Sequence, residues 1–128
     1  MFETVLFPIE RRNQGLDGAA EAIALAQDHA ARLVLLPVLE PGEGASGPMW
    51  LSQAQLLQQT QARVERCGLP CEVLERQGSS AAEICALATE LNVDVIVMGL
   101  RGLNPDQNQD STVCRVIQHA PCPVLVVP

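Results

Sequence analysis

Residues 93–98, Val-Asp-Val-Ile-Val-Met, form a nearly unbroken apolar run that stops at Gly99. A strand of that composition has no wet face, so it belongs inside a parallel sheet covered on both sides. The rest of the chain supplies such a sheet. Thr4–Ile9 and Arg32–Leu39 read as two further buried strands, the first closing at Pro8 and the second carrying Pro37. Proline has no N–H, so Pro37 is expected at an unpaired position or a bulge near the strand end. Cys71–Glu75 reads as a short third strand, Val93–Met98 as the fourth, and Val124–Val127 as the fifth.

Between these runs the apolar period changes to that of a helix. Leu16, Ala19, Ala20, Ile23, Ala26 and Ala30 share one face, and Trp50, Ala54, Leu57 and Val64 form a stripe within 49–66. Gly68-Leu69-Pro70 ends that second helix, as glycine and proline beyond a helix terminus do. Ser80 and Glu83 form a capping box ahead of Ile84, Leu87, Ala88 and Leu91. Residues 111–119 carry Val113, Val116, Ile117 and, just beyond, Ala120 toward the core. Residues 40–48 hold three Gly and two Pro and read as a surface loop.

Strands alternating with helices predict one α/β domain over 1–128, with right-handed crossovers and helices on both faces of a parallel sheet. Such sheets bind ligands beyond the carboxyl ends of their strands, where the strand order reverses. The loops in question are Glu10–Gly15 after strand 1 and Gly99–Asp110 after strand 4. Gly99-Leu100-Arg101-Gly102 followed by a helix start at Ser111 is a strand, glycine loop and helix N-terminus, which offers N–H groups to an anion.

Charge narrows the partners. The net charge is -7 and all eight basic residues are Arg, a balance that repels nucleic acid and anionic lipid. No apolar run approaches the roughly 20 residues a membrane helix needs, and no basic-then-apolar leader opens the chain, so a cytoplasmic protein is expected. The five cysteines, odd in number, read as reduced thiols serving as small hydrophobes. Cys67 and Cys71 leave a thiol-based redox sensor as an alternative. No second Cys/His pair completes a metal site, so none is expected.

Catalytic signatures are missing. His29 and His119 fall near helix C-termini, where they suit the dipole. No Ser/His/Asp or Cys/His pairing stands at a recognisable motif, and there is no Gly-x-x-x-x-Gly-Lys loop. The expectation is a protein without catalysis of its own. Glu72 and Glu75 read as strand-edge decoration, and Arg11-Arg12 as a solvated pair or a lid over a cleft anion.

Four blocks in order resemble the universal stress protein family along nearly the whole chain. They are Val5-Leu6-Phe7-Pro8-Ile9-Glu10, Gly78-Ser79-Ser80-Ala81-Ala82-Glu83-Ile84, Asp94 to Gly102, and His119 to Val127. The resemblance implies a five-stranded, doubly wound, Rossmann-like sheet of the adenine nucleotide alpha hydrolase-like kind, in the order 3-2-1-4-5 and usually dimeric. It also implies a stress-response or signalling role, with ATP or AMP as the possible ligand and magnesium only alongside ATP. By the same resemblance a nucleotide would meet Pro8, Glu10, Val38, Met98, Gly99, Arg101, Gly102, Ser111 and Thr112. Arg101 would be the cation nearest phosphate, and Ser111 the hydroxyl donor.

Three departures bear on that site. Glu10 stands where the family has Asp. The spacer from Leu103 to Gln109 is seven residues, two fewer than in the family pattern. Asp110 stands where the family has glycine, and puts a charged side chain where a phosphate would approach a helix N-terminus. Asp106 adds a second carboxylate to the same loop. Weak or no ATP binding is therefore expected, with slow ATP hydrolysis around Glu10, Arg101 and Ser111 as the alternative.

Pro123, Val124, Leu125, Val126 and Val127 form an apolar last strand expected at a sheet edge. Such an edge invites pairing with another chain, and a two-fold axis closes it into a homodimer.

Overall fold

The computed structural model describes residues 2–9, 18–39, 48–99 and 112–128, the side chains of 48–53 excepted. In chain order the elements are β1 (Thr4–Ile9), α1 (Ala19–His29), β2 (Arg32–Leu39), α2 (Pro48–Arg66), β3 (Cys71–Val73), β4 (Arg76–Gln77), α3 (Ser80–Glu90), β5 (Val95–Gly99), α4 (Thr112–His119) and β6 (Val124–Val127). The sheet runs β3-β2-β1-β5-β6, with β4 also pairing β2, and every pairing is parallel. The five expected strands thus lie in the expected order, with one two-residue strand added.

That extra strand has a cause in Pro37. Leu33 N–H donates to the Pro70 carbonyl and Leu74 N–H to the Leu35 carbonyl, both at 3.0 Å, so the odd-numbered residues of β2 face β3. Pro37 therefore presents its missing N–H to the same neighbour. Pairing runs from Leu33↔Cys71 to Leu35↔Val73, lapses, and resumes at Val38↔Arg76 in unbroken register. There is no bulge. The expected strand Cys71–Glu75 is shortened to Cys71–Val73, and the pairing regained at Arg76–Gln77 lies beyond its expected end, because a ladder donor is missing between them.

Alternation along the strands divides the core between the two faces of the sheet. Val5, Phe7, Ile9, Leu33, Leu35, Val95 and Val97 pack with Ala19, Ala22, Ile23 and Ala26 of α1 and Val64 of α2. Leu6, Val34, Leu36, Val38, Ile96 and Met98 pack with Ile84, Leu87 and Ala88 of α3 and Val113 and Val116 of α4. In α1, Ala22 takes the inward place expected of Ala20, and Ala30 lies outside the buried stripe. The alanines bring α1 close to the sheet. Leu16, the 40–47 segment and the side chain of Trp50 lie outside the described residues.

Two local readings are corrected and a third is extended. The helix α3 takes Ser79, not Ser80, as its N-cap, with no side-chain cap hydrogen bond. Ser80 is instead buried in the first turn, and Glu83 folds back over Gly78. Ile117 points outward and is 53% exposed, because α4 lays only the Val113–Val116 stripe on the core. His29 does more than sit at a helix end: its Nδ1 accepts the Phe2 N–H at 3.4 Å and the two rings lie 4.9 Å apart.

The fourth strand begins at Val95 because Asp94 is used as a clamp. Asp94 Oδ2 accepts the N–H groups of Glu3 at 2.8 Å and Thr4 at 2.9 Å, while its own N–H donates to the Thr4 carbonyl at 3.0 Å. These backbone donors, from Glu3 first and then Thr4, hold the carboxyl below its ordinary range. A lowered native pKa stabilises the fold above the unfolded value and is lost as pH falls through the native one. Asp94→Ala should cost about 1 kcal/mol at neutral pH, the low end for a charged acceptor because solvent reaches the carboxylate. Thermal melts should show the gap from wild type closing as pH drops below about 4, and a gap independent of pH would contradict the clamp.

Candidate functional site

The ladder between β1 and β5 ends before the carboxyl ends of the strands, where a second proline removes a donor. Arg32 N–H donates to the Glu3 carbonyl and Asp94 N–H to the Thr4 carbonyl, both at 3.0 Å. Odd-numbered residues at the start of the chain therefore face β2, and even-numbered ones face β5. Pro8 is even, so its missing N–H falls on the β5 side. Pairing with β5 stops at Leu6↔Ile96, whereas pairing with β2 continues to Ile9↔Pro37. Beyond Leu6 the two strands run on to Ile9 and Gly99 without a shared ladder. This is also where the strand order reverses, the place at which open α/β sheets take ligands.

Gly18 completes the floor of that crevice. It caps α1 in the left-handed region at φ 88°, without a side-chain cap hydrogen bond. A Cβ built on it would lie 3.4 Å from Phe7 Cε1 and 3.6 Å from both the Gly99 nitrogen and Val97 Cγ1. The end of β1, the end of β5 and the start of α1 thus converge on one point. Gly18 was hidden in the sequence because the helical pattern reads from Leu16; the glycine directly before Ala19-Ala20-Glu21 was the signal for the true start.

The candidate residues divide into two groups. Pro8 and Gly99 are buried beyond the last β1–β5 ladder pair, and Val38 and Met98 are 4% and 2% exposed with their side chains in the α3–α4 core. Thr112 is half-buried as the first residue of α4. Glu10, Arg101, Gly102, Asp110 and Ser111 lie outside the described residues, as do Arg11, Arg12 and Asp106. Pro123 to Val127 form the approach to β6 and β6 itself, and Leu125 is 41% exposed.

Two ion pairs are formed among the described residues of the sheet and its helices. Arg76, level with Val38, donates to Glu90 at 2.9 Å, while Arg32 at the other end of β2 donates to Glu72 at 3.0 Å. Among the described residues no cluster of three or more His, Cys, Asp or Glu is placed to hold a metal. No described helix is long and apolar enough to cross a membrane. All five cysteines are free. Burial pushes the thiols of Cys71, Cys85 and Cys122 up, with Glu65 adding to it at Cys71 and Asp94 and Cys85 at Cys122. Raised thiols hold less of the reactive thiolate.

With this geometry in place, comparison with known proteins is direct. The chain is 39% identical over 138 residues to a universal stress protein of Synechocystis, covering 100% of this chain and 87% of that protein. Its fold superposes on the crystal structure of a universal stress protein in complex with cAMP with a TM-score of 0.79 at 21% identity, covering 98% of this chain and 96% of the other. It likewise matches the universal stress protein from Archaeoglobus fulgidus in complex with dAMP, with a TM-score of 0.77 at 16% identity, covering 100% and 98%. The universal stress protein family pattern matches residues 1–128, and the chain belongs to that family.

Proposed function

We propose that this protein is a homodimeric, cytoplasmic stress-response or signalling protein that works by binding, without catalysis, and whose crevice takes an adenosine monophosphate in preference to ATP. The observation that carries this reading is the end of the β1–β5 ladder ahead of Pro8, at the point of strand-order reversal where open α/β sheets take ligands. Two solved relatives are named as complexes with cAMP and dAMP, both monophosphates of adenine nucleosides.

The preference follows from charge. The loop sequence after Gly99 offers one cation, Arg101, against the carboxylates of Asp106 and Asp110. A triphosphate brings about two more negative charges than a monophosphate into that field, each opposed by roughly 1 kcal/mol or more. In the proposed complex Arg101 meets the phosphate, with Gly102, Ser111 and Thr112 donating around it and Glu10 near the ribose-phosphate end. The raised Cys71 thiol weighs against the thiol-sensor alternative.

Equilibrium titration of the intact protein with AMP, cAMP and ATP–magnesium tests the proposal. AMP or cAMP should bind at least about tenfold more tightly than ATP, with no phosphate released. Tighter ATP binding accompanied by turnover would establish the alternative, a slow ATPase using Glu10, Arg101 and Ser111.

A further inference from the structure

We infer that Gly18 is a positioning residue for the candidate site: having no side chain, it lets the start of α1 rest against the Gly99 backbone, beyond the last β1–β5 ladder pair. Its consequence for ligand binding rests on the nucleotide reading above; its structural content does not.

Two glycines share a left-handed backbone but not an environment. Gly68 has φ 71° and nothing within 4 Å of where its Cβ would stand. Gly18 has φ 88° and faces Phe7, Val97 and the Gly99 nitrogen. The left-handed conformation alone would explain glycine at either position, since most L-residues avoid it. Only at Gly18 does the missing side chain also leave room for three other residues.

A methyl group would fit there at ordinary contact distance, and with Phe7, Val97 and the Gly99 nitrogen already against it a longer side chain has less room. Phe7 and Val97 are 3% and 0% exposed, deep in the core on the α1 side, and overpacking there is resisted by everything around them. Gly99 is the neighbour that can yield. It is the last residue of β5, and its ladder pairing is to Val127 on the far side. A larger residue at 18 therefore displaces the first glycine of the Gly99–Gly102 loop before it displaces the core.

The test compares Gly18→Asn with Gly68→Asn in the intact protein, because asparagine tolerates the left-handed region and so isolates the packing. Three readouts are taken: the thermal transition, the Gly99 amide resonance without ligand, and AMP affinity. Gly68→Asn should match wild type in the last two. Gly18→Asn should keep a cooperative melt, shift the Gly99 resonance, and weaken AMP binding about tenfold. If Gly18→Asn fails to fold, Gly18→Ser takes its place, with a smaller resonance shift and about threefold weaker binding expected. An unmoved Gly99 resonance in a folded variant overturns the inference, as does unchanged AMP affinity where wild type binds. A wild type that binds no AMP refutes the nucleotide reading instead, and the Gly99 resonance then decides the inference alone.

Discussion

Replacing Asp110 by glycine should raise affinity for adenine nucleotides, by about tenfold for AMP and about a hundredfold for ATP. Asp110 lies two positions before Thr112, where α4 begins. The first turn of a helix has N–H groups without intrahelical partners, and a carboxylate just ahead of it competes with a phosphate for them. It also repels that phosphate, by roughly 1 to 3 kcal/mol per charge at separations of about 5 Å, depending on how much water remains. ATP gains more than AMP from removing the carboxylate because it carries more charge. Glycine adds a second benefit, since without a Cβ the backbone can approach the phosphate closely. Asp110→Asn separates the two effects: it removes the charge, keeps the side chain, and should recover only the electrostatic part. Calorimetric titration at two salt concentrations checks this, because the charge-dependent part shrinks as salt screens it. Equal affinity in wild type and Asp110→Gly would remove Asp110 from any blocking role.

Periodicity gave the architecture, because strand and helix periods report which residues are inward within their own element. Thr4–Ile9 and Arg32–Leu39 are observed with the expected bounds, and the fully buried β5 falls on its apolar run, over Val95–Gly99 where Val93–Met98 is expected. What periodicity could not supply is the direction in which a backbone group points across a sheet. Pro8 and Pro37 were both visible as missing donors, but which neighbour loses a hydrogen bond depends on register. Register shows Pro37 breaking the ladder to β3 and β4, and Pro8 breaking the ladder to β5. The first interrupts the pairing of the edge strand; the second ends the β1–β5 ladder at the point of strand-order reversal. Asp94 was legible as part of the family block, but its clamp on Glu3 and Thr4 joins residues 90 and 91 positions apart. Ile117 was misread for a different reason. A helix with only two buried residues, Val113 and Val116, covers the sheet with a narrower stripe than its apolar pattern implies.

The second large effect concerns the proposed homodimer. Ile96 N–H donates to the Pro123 carbonyl at 3.0 Å, which turns the backbone groups of Pro123, Leu125 and Val127 toward β5. The N–H and C=O groups of Val124 and Val126 therefore face the open edge. A two-fold axis at Leu125 lets Val124 of each copy exchange both bonds with Val126 of the other. Leu125 then faces its own counterpart in a non-hydrogen-bonded pair, whose Cα atoms approach to about 4.5 Å. It is already 41% exposed in the protomer, so substitution there should spare the fold and act on association. Leu125→Lys loses apolar burial worth about 1 kcal/mol or more per copy and sets two ammonium groups within about 6 Å, a further 1 to 3 kcal/mol of repulsion. The dimer dissociation constant should rise a hundredfold or more, with part of the loss recovered at high salt. Leu125→Ile should keep the dimer, since β-branched residues suit cross-strand pairs. Sedimentation equilibrium reads all three proteins. A wild type that stays monomeric refutes the dimer, and a Leu125→Lys dimer of undiminished strength places its interface away from β6.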